Sequence, residues 1–140
     1  MKKSLFSLCA LAMSALSMTS FAQTPALALK SLQLKKNGAT YFGYFNLTIS
    51  NYAQFPTELF MPAPNLPPCG LNTNSSRTWV SINDAVSGQY IYGFCALSNP
   101  SALQSLWFAK SWGTAIPRSV YVELKDRLTG RVYRSNNLGL

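Results

Sequence analysis

The residues whose types and spacing could bind a ligand are concentrated near the C-terminal end of the chain. Basic and aromatic side chains alternate there over a short stretch of sequence. Arginine and lysine pair with phosphate or carboxylate groups, while aromatic rings stack on sugars, bases or cations. The pattern therefore predicts a surface that binds an anionic polymer. Its candidate residues are Tyr121, Lys125, Arg127, Arg131, Tyr133 and Arg134.

An ordinary structural explanation of the same pattern stays open. Basic side chains on strand edges protect a sheet against edge-to-edge aggregation. Cross-strand charge pairs, such as Glu123 with a facing arginine, stabilise sheets without any ligand. Tyrosine and tryptophan rings in a β-domain also serve to fill its core. The alternation is compatible with a binding surface and with a solvated face.

The residues that the chain lacks exclude several kinds of chemistry. It contains no histidine, which excludes a Ser–His–Asp triad and a histidine-ligated zinc site. Its four acidic residues are too few and too scattered to predict a calcium loop. Two of these carboxylates could still meet in space as they do in glycosidases, although their spacing does not propose it. We therefore expect a protein that is not an enzyme, with no catalytic residue, metal or cofactor. The acids are Glu58, Asp84, Glu123 and Asp126.

Residues 1–22 have the layout of a cleavable export signal. Two lysines precede an uncharged apolar stretch, Leu5–Met18, and the small residues Ser20 and Ala22 stand at positions −3 and −1. The apolar stretch is too short for a membrane-spanning helix. We expect cleavage that lowers the net charge from +8 to +6. The mature chain, residues 23–140, is then a single domain in the periplasm or the medium, without a transmembrane segment.

Cleavage would remove Cys9 and leave Cys69 and Cys95 as the remaining cysteines. Two cysteines in an exported chain predict a disulfide, because that compartment is oxidising. Closing this loop would stabilise the fold by about 3.5 kcal/mol on the chain-entropy estimate. The alternative is a reactive or metal-binding pair. The disulfide would tie the Pro-rich segment around Cys69 to the strand that carries Cys95.

Short strand patterns recur along the mature chain. Apolar residues alternate with polar ones most clearly in residues 39–51 and 118–125. The pair Asn37–Gly38 is a turn signal and predicts a hairpin between the first two strands. Prolines in residues 52–76 argue against regular structure in that segment. Residues 98–106 predict one short helix, with a proline in its first turn.

These elements predict an all-β fold, an antiparallel β-sandwich of about seven strands with one short helical crossover and a long Pro-rich loop. The long strand that closes at Asn51–Pro56, the crossover at Ser98–Leu106 and the hairpin Ser119–Arg134 resemble immunoglobulin-like and fibronectin type III-like secreted domains. The resemblance covers most of residues 27–136 and implies the fold alone. Because Cys69 lies in the Pro-rich loop, the disulfide would differ from the inter-sheet bond of antibody domains.

We therefore expect an exported, non-enzymatic binding or accessory domain. Its partner would be an anionic component of the cell envelope, such as an anionic polymer, or another envelope protein. Nucleic acid is not expected to be the partner of an exported protein, although the charge would allow weak, salt-sensitive binding. The alternative is an enzyme or an enzyme inhibitor that acts through the Cys69-anchored loop. It would require a desolvated carboxylate in a concave site, from Glu58, Asp84 or Asp126, or an exposed rigid loop over residues 65–76.

Overall fold

The structure is a computed structural model that describes residues 23–70, 75–96, 98–111 and 116–140. The predicted export signal lies outside these ranges. So does most of residues 113–117, where the sequence predicts a turn from Gly113 and Pro117. Within them the chain forms three short 3₁₀ helices, Tyr52–Gln54, Thr57–Phe60 and Pro100–Gln104. It also forms eight strands: β1 (Leu27–Asn37), β2 (Thr40–Ile49), β3 (Thr78–Asp84), β4 (Tyr90–Ala96), β5 (Leu106–Ser111), β6 (Ser119–Asp126), β7 (Val132–Arg134) and β8 (Leu138–Gly139).

The strands form two antiparallel sheets. The first sheet has the order β1-β2-β5, and the second has the order β4-β3-β6-β7, with β8 also paired to β6. This architecture confirms the predicted all-β antiparallel fold, with eight strands instead of about seven. The additional strand is β8, which pairs Leu138 with Val120 and Gly139 with Ser119. A strand of this length is too short to show an alternating pattern in the sequence.

The core lies between the two sheets, and the alternating residues fill it as predicted. Phe45, Leu47 and Ile49 on β2 are buried, as are the alternating apolar residues of β3 and β6. Phe45 on β2 stacks on Phe108 of β5 with ring centroids 4.7 Å apart. Because side chains alternate across a strand, these apolar residues lie on one face of each strand. The inward residues of β3 and β6 are Val80, Ile82, Val120, Val122 and Leu124.

The Pro-rich segment contributes to the core without forming a strand. A short strand would be compatible with the sequence at residues 57–61, but the structure has a 3₁₀ helix at Thr57–Phe60. Leu59 and Phe60 are adjacent in sequence and are both buried. A strand would turn one of the two toward solvent, whereas a helical turn lets both reach the core. The Thr78 hydroxyl holds this turn against β3 by donating to the Leu59 carbonyl.

The predicted crossover helix is present at Pro100–Gln104. The Asn99 side chain accepts a hydrogen bond from the Ser101 backbone N–H at 3.0 Å, and Pro100 occupies the first turn. This is the arrangement that favours a helix start, since an N-cap oxygen satisfies a backbone donor that has no partner within the helix. Leu103 points into the core and is fully buried. The helix leads directly into β5.

The ends of the described domain are held together by one side chain. The Asn136 amide oxygen accepts the Leu27 N–H at 2.8 Å, and its amide nitrogen donates to the Leu27 carbonyl at 3.2 Å. The Leu140 N–H donates to the Arg118 carbonyl at 3.0 Å. The start of β1 and the segment after β7 are therefore neighbours.

The β1–β2 hairpin extends beyond the second sheet. Its two-residue turn contains Gly38, which has a φ of 62°, a conformation that glycine adopts at little cost. The register shifts between Leu29 and Ser31. Beyond that bulge, Leu32 and Leu34 are exposed to 49% and 59%. The strand that the alternation of these leucines predicts is confirmed, but the two side chains lie outside the core.

Candidate binding surfaces

The structure divides the predicted basic and aromatic residues between two faces of the second sheet. Lys125 lies opposite Trp79 and Val132, and Arg134 lies opposite Glu123. Both belong to the face that points away from the core. Tyr133 pairs with the inward Leu124 and packs edge-on against Phe55, with ring centroids 5.7 Å apart. The six residues therefore do not form one continuous surface. The binding role of these residues stays a prediction.

Two of the predicted cations rest on the predicted tyrosines. The Arg134 guanidinium lies 3.7 Å from the Tyr121 ring centroid, and the Arg131 guanidinium lies 4.9 Å from that of Tyr133. Tyr121 is only 8% exposed. The Tyr121 ring is therefore almost fully buried and also covered by a guanidinium in a cation–π contact. Tyr121 is therefore closed to a stacking ligand in this conformation.

Arg127 ties two parts of the chain together. Its guanidinium donates to the Ser76 carbonyl and the Pro67 carbonyl, each at 2.8 Å, and its backbone N–H donates to the Arg77 carbonyl at 2.7 Å. These bonds fix the Pro-rich segment against the end of β6. Arg127 thus has a structural role that its position at a hairpin tip does not reveal.

Asp126 is a buried carboxylate with a complete set of partners. Arg77 donates to its two oxygens at 3.1 and 2.9 Å, and the Leu128 N–H donates at 3.0 Å. Burial opposes the charged form, but the hydrogen bonds from Arg77 and Leu128 outweigh it and lower the pKa of Asp126 to about 2. An anion held in this way is unsuited to donating a proton near neutral pH.

Asp84 is half-buried and Glu58 is exposed. Asp84 accepts the backbone N–H groups of Ser87 and Val86, and these bonds lower its pKa. Glu58 is exposed at the rim of two shallow clefts of about 320 and 440 Å³, which it shares with Arg77. In the described ranges, no three Cys, Asp or Glu residues lie close enough to hold a metal ion.

A row of five aromatic rings, two exposed and three half-buried, crosses from the first sheet to the second. Phe42 and Tyr44 lie on the outer face of β2 with centroids 6.5 Å apart, and Tyr44 lies 6.5 Å from Trp107 on β5. The ring centroids of Trp107 and Tyr92 on β4 are 5.8 Å apart, and those of Tyr92 and Phe94 are 6.4 Å apart. Trp107 is 47% exposed and Tyr92 is 38% exposed. We call these residues the aromatic row.

The aromatic row has positive charge at its first-sheet end. The Lys35 ammonium lies 4.9 Å from the Tyr44 ring centroid, and Lys35 pairs with Phe42 in the sheet register. No acidic residue precedes Glu58 in the chain. The aromatic row was not predicted from the sequence, because two of the strands that carry it, β4 and β5, belong to different sheets. The one signal was the run from Tyr41 to Phe45, where aromatic residues occur on both faces of one strand.

The disulfide lies at the other end of the aromatic row. Cys69 and Cys95 are bonded, as predicted, and they line a cleft of about 280 Å³ together with Tyr92 and Phe94. The bond connects the Pro-rich segment to β4. Trp79 lies over Gly93 in the same cleft, with its ring only 2.6 Å from the place that a Cβ on residue 93 would occupy. The absence of a side chain at Gly93 is therefore what admits the indole ring.

We expect Gly93→Ala to lower the free energy of unfolding by roughly 1 to 2 kcal/mol, as overpacking typically does. The new methyl group would meet Trp79 and also the Val80 carbonyl at 2.8 Å, and the latter is backbone that cannot move away. Urea denaturation followed by tryptophan fluorescence measures the loss. Gly139→Ala is the matched control, since nothing lies within 4 Å of a Cβ there. Equal stability of the two variants would contradict the packing argument.

Comparisons with known proteins add no relative. The chain matches no protein-family model, and no curated protein or solved structure shows significant similarity to it. None of the helices in the described ranges has the length and apolar character needed to cross a membrane. A function for this chain must therefore be argued from its own residues.

Proposed function

We propose that this chain is an exported, non-enzymatic binding domain that holds an anionic glycan polymer of the cell envelope along the aromatic row. The observation that carries this proposal is the series of ring contacts from Phe42 to Phe94 across two sheets. Large rings exposed on a monomer surface mark binding sites more often than isolated apolar residues do. A row of this length suits an extended chain rather than a single small molecule.

The chemistry of the row favours a sugar polymer. Sugar rings have apolar C–H faces that stack on aromatic rings, and carboxylate or phosphate substituents would pair with Lys35. Trp107 lies at the centre of the row and has the largest ring. Central tryptophans and tyrosines usually carry most of the binding free energy at such surfaces. We therefore expect Trp107 to dominate affinity.

The strand order supports an immunoglobulin-like sandwich of the fibronectin type III kind. The order β1-β2-β5 corresponds to strands A-B-E, and β4-β3-β6-β7 corresponds to C′-C-F-G. The disulfide differs from the inter-sheet bond of antibody domains because Cys69 belongs to the Pro-rich segment. A disulfide is compatible with export, which the layout of residues 1–22 predicts. The non-enzymatic part of the proposal is supported by Asp126, whose carboxylate accepts hydrogen bonds from Arg77 and Leu128.

We expect Trp107→Ala to weaken binding to an anionic glycan about tenfold or more, equivalent to about 1.4 kcal/mol. The probe is a polygalacturonate oligosaccharide, with a neutral chitin oligosaccharide for comparison, titrated against the exported protein by calorimetry at low and high salt. Salt should weaken binding of the anionic probe more, because it screens exposed charges. Tyr41→Ala is the matched control, since Tyr41 and Trp107 are both 47% exposed and Tyr41 lies outside the row.

A second variant separates the aromatic row from the predicted basic face. Lys125, Arg131 and Arg134 are changed together to glutamine, and Arg127 is kept because it ties the Pro-rich segment. Binding that survives this change and is lost in Trp107→Ala supports the proposal. Loss in the glutamine variant alone would assign the site to the basic face. Absence of binding to both glycans would refute the proposed ligand class.

A further inference from the structure

Strand β1 presents an unpaired edge. Within the described ranges it pairs with β2 on one side, and no strand pairs with its other side. Its first residue is covered by Asn136. The register with β2 shifts at Lys30, and the remaining edge runs from Ser31 to Asn37. Backbone N–H and C=O groups on such an edge can pair with an added strand.

An exposed apolar stripe accompanies this edge. Leu32 pairs with Phe45 and Leu34 pairs with Gly43, so both leucines lie on the face that further along the hairpin covers the core. Leu29 and Tyr41 on the same face are also exposed, to 39% and 47%. An added strand would cover these side chains with its own alternate residues. The apolar area that it removes from water would favour association.

The charge of β1 indicates which kind of strand could pair with its free edge. Lys30, Lys35 and Lys36 lie along β1, and no acidic residue occurs before Glu58. Antiparallel pairing of two copies of β1 around Gln33 would bring lysines of one copy near those of the other, and like charges that face each other are destabilising. Lysines on an edge are a recognised protection against self-association. A partner strand with acidic residues would instead bring opposite charges together, which stabilises strand pairing.

We propose that the β1 edge is a docking site for an extended, acidic segment of another protein. The segment adds as a fourth strand to the first sheet. Its apolar residues pack on Leu32 and Leu34, and its acidic residues project from its opposite face and pair with Lys35, which lies opposite Phe42. Backbone hydrogen bonds supply affinity, and the alternation of apolar and acidic residues supplies specificity. The apolar part of this site lies on the face opposite the aromatic row, and Lys35 lies beside the row.

The experiment uses two fluorescein-labelled peptides, one alternating glutamate and valine and one alternating lysine and valine. Fluorescence anisotropy with the exported protein should show the glutamate peptide binding at least tenfold more tightly. Lys35→Glu, on the face to which the glutamates project, should reduce this preference at least tenfold, and Leu34→Ser should weaken binding of the glutamate peptide at least threefold. Lys125→Glu, on the other sheet, is the charge-matched control and should change neither value.

Two further measurements test the mode of binding. Glutamate–valine peptides that are N-methylated on all valines, or on all glutamates, each lose the backbone donors of one edge. One of the two should bind at least tenfold more weakly, and equal binding of both at the affinity of the parent peptide would overturn strand addition. Sedimentation equilibrium of the protein alone should show a monomer. A dimer that Leu34→Ser abolishes would overturn the proposal and make a second copy the occupant.

Discussion

Removing the Cys69–Cys95 disulfide is expected to lower the free energy of unfolding by about 3.5 kcal/mol, since the bond closes a loop with a sequence separation of 26. Domains of this size have total stabilities of roughly 5–15 kcal/mol, so the loss is a large part of the whole. The bond restricts the unfolded chain, and in the folded chain it holds the Pro-rich segment against β4.

The measurement is urea denaturation of the double variant Cys69→Ala/Cys95→Ala beside the oxidised wild type. Alanine is preferred to serine because Cys69 is buried, and a hydroxyl there would need a partner. Wild type treated with a reductant should lose a similar amount, whereas the double variant should not respond to the reductant. A midpoint unchanged by reduction would contradict the predicted role of the disulfide.

Replacing Asp126 by asparagine is expected to cost roughly 2 kcal/mol at neutral pH. The pKa of Asp126 falls from 3.8 to about 2 in the folded chain, and each unit of such a shift corresponds to about 1.4 kcal/mol. A carboxylate with a lowered pKa stabilises the fold at pH values above its unfolded pKa. This contribution is lost as the pH falls from about 4 through 2.

The pH dependence distinguishes this ion pair from simple packing. The free energies of unfolding of wild type and Asp126→Asn, measured by urea denaturation, should differ by the full amount at pH 7. The two values should converge as the pH approaches 2. Glu58→Gln removes an exposed carboxylate and should change stability by about 0.5 kcal/mol or less. A difference between wild type and Asp126→Asn that stays constant with pH would show that the charge of Asp126 is not responsible.

The sequence predicted those parts of the fold that depend on local alternation. Val80 and Ile82 on β3, and Val120, Val122 and Leu124 on β6, occur at a spacing of two residues and point into the core as expected. The Asn99–Pro100 helix start was predictable for the same reason, because capping depends on neighbouring residues. The pairing of Cys69 with Cys95 followed from the small number of cysteines.

Features that depend on distant contacts were not predictable in this way. The alternation places Tyr121 on the outer face of β6, but it does not show that Arg134 covers the ring. The aromatic row depends on the approach of β4 to β5, which are separated by the crossover helix. Leu32 and Leu34 have the spacing of core residues, yet the second sheet does not extend far enough to cover them. Each of these outcomes is set by how the two sheets overlap.

The hydrogen bonds between Asn136 and Leu27 bring the two ends of the described domain close together. A chain rejoined near these two points and opened instead at the turn around Gly88 would keep every strand pairing of both sheets except that of β8 with β6. The same proximity lets the whole domain be inserted into a loop of another protein without stretching it, since both connections would leave from one place. The order in which the strands are linked is therefore less important to this architecture than their contacts.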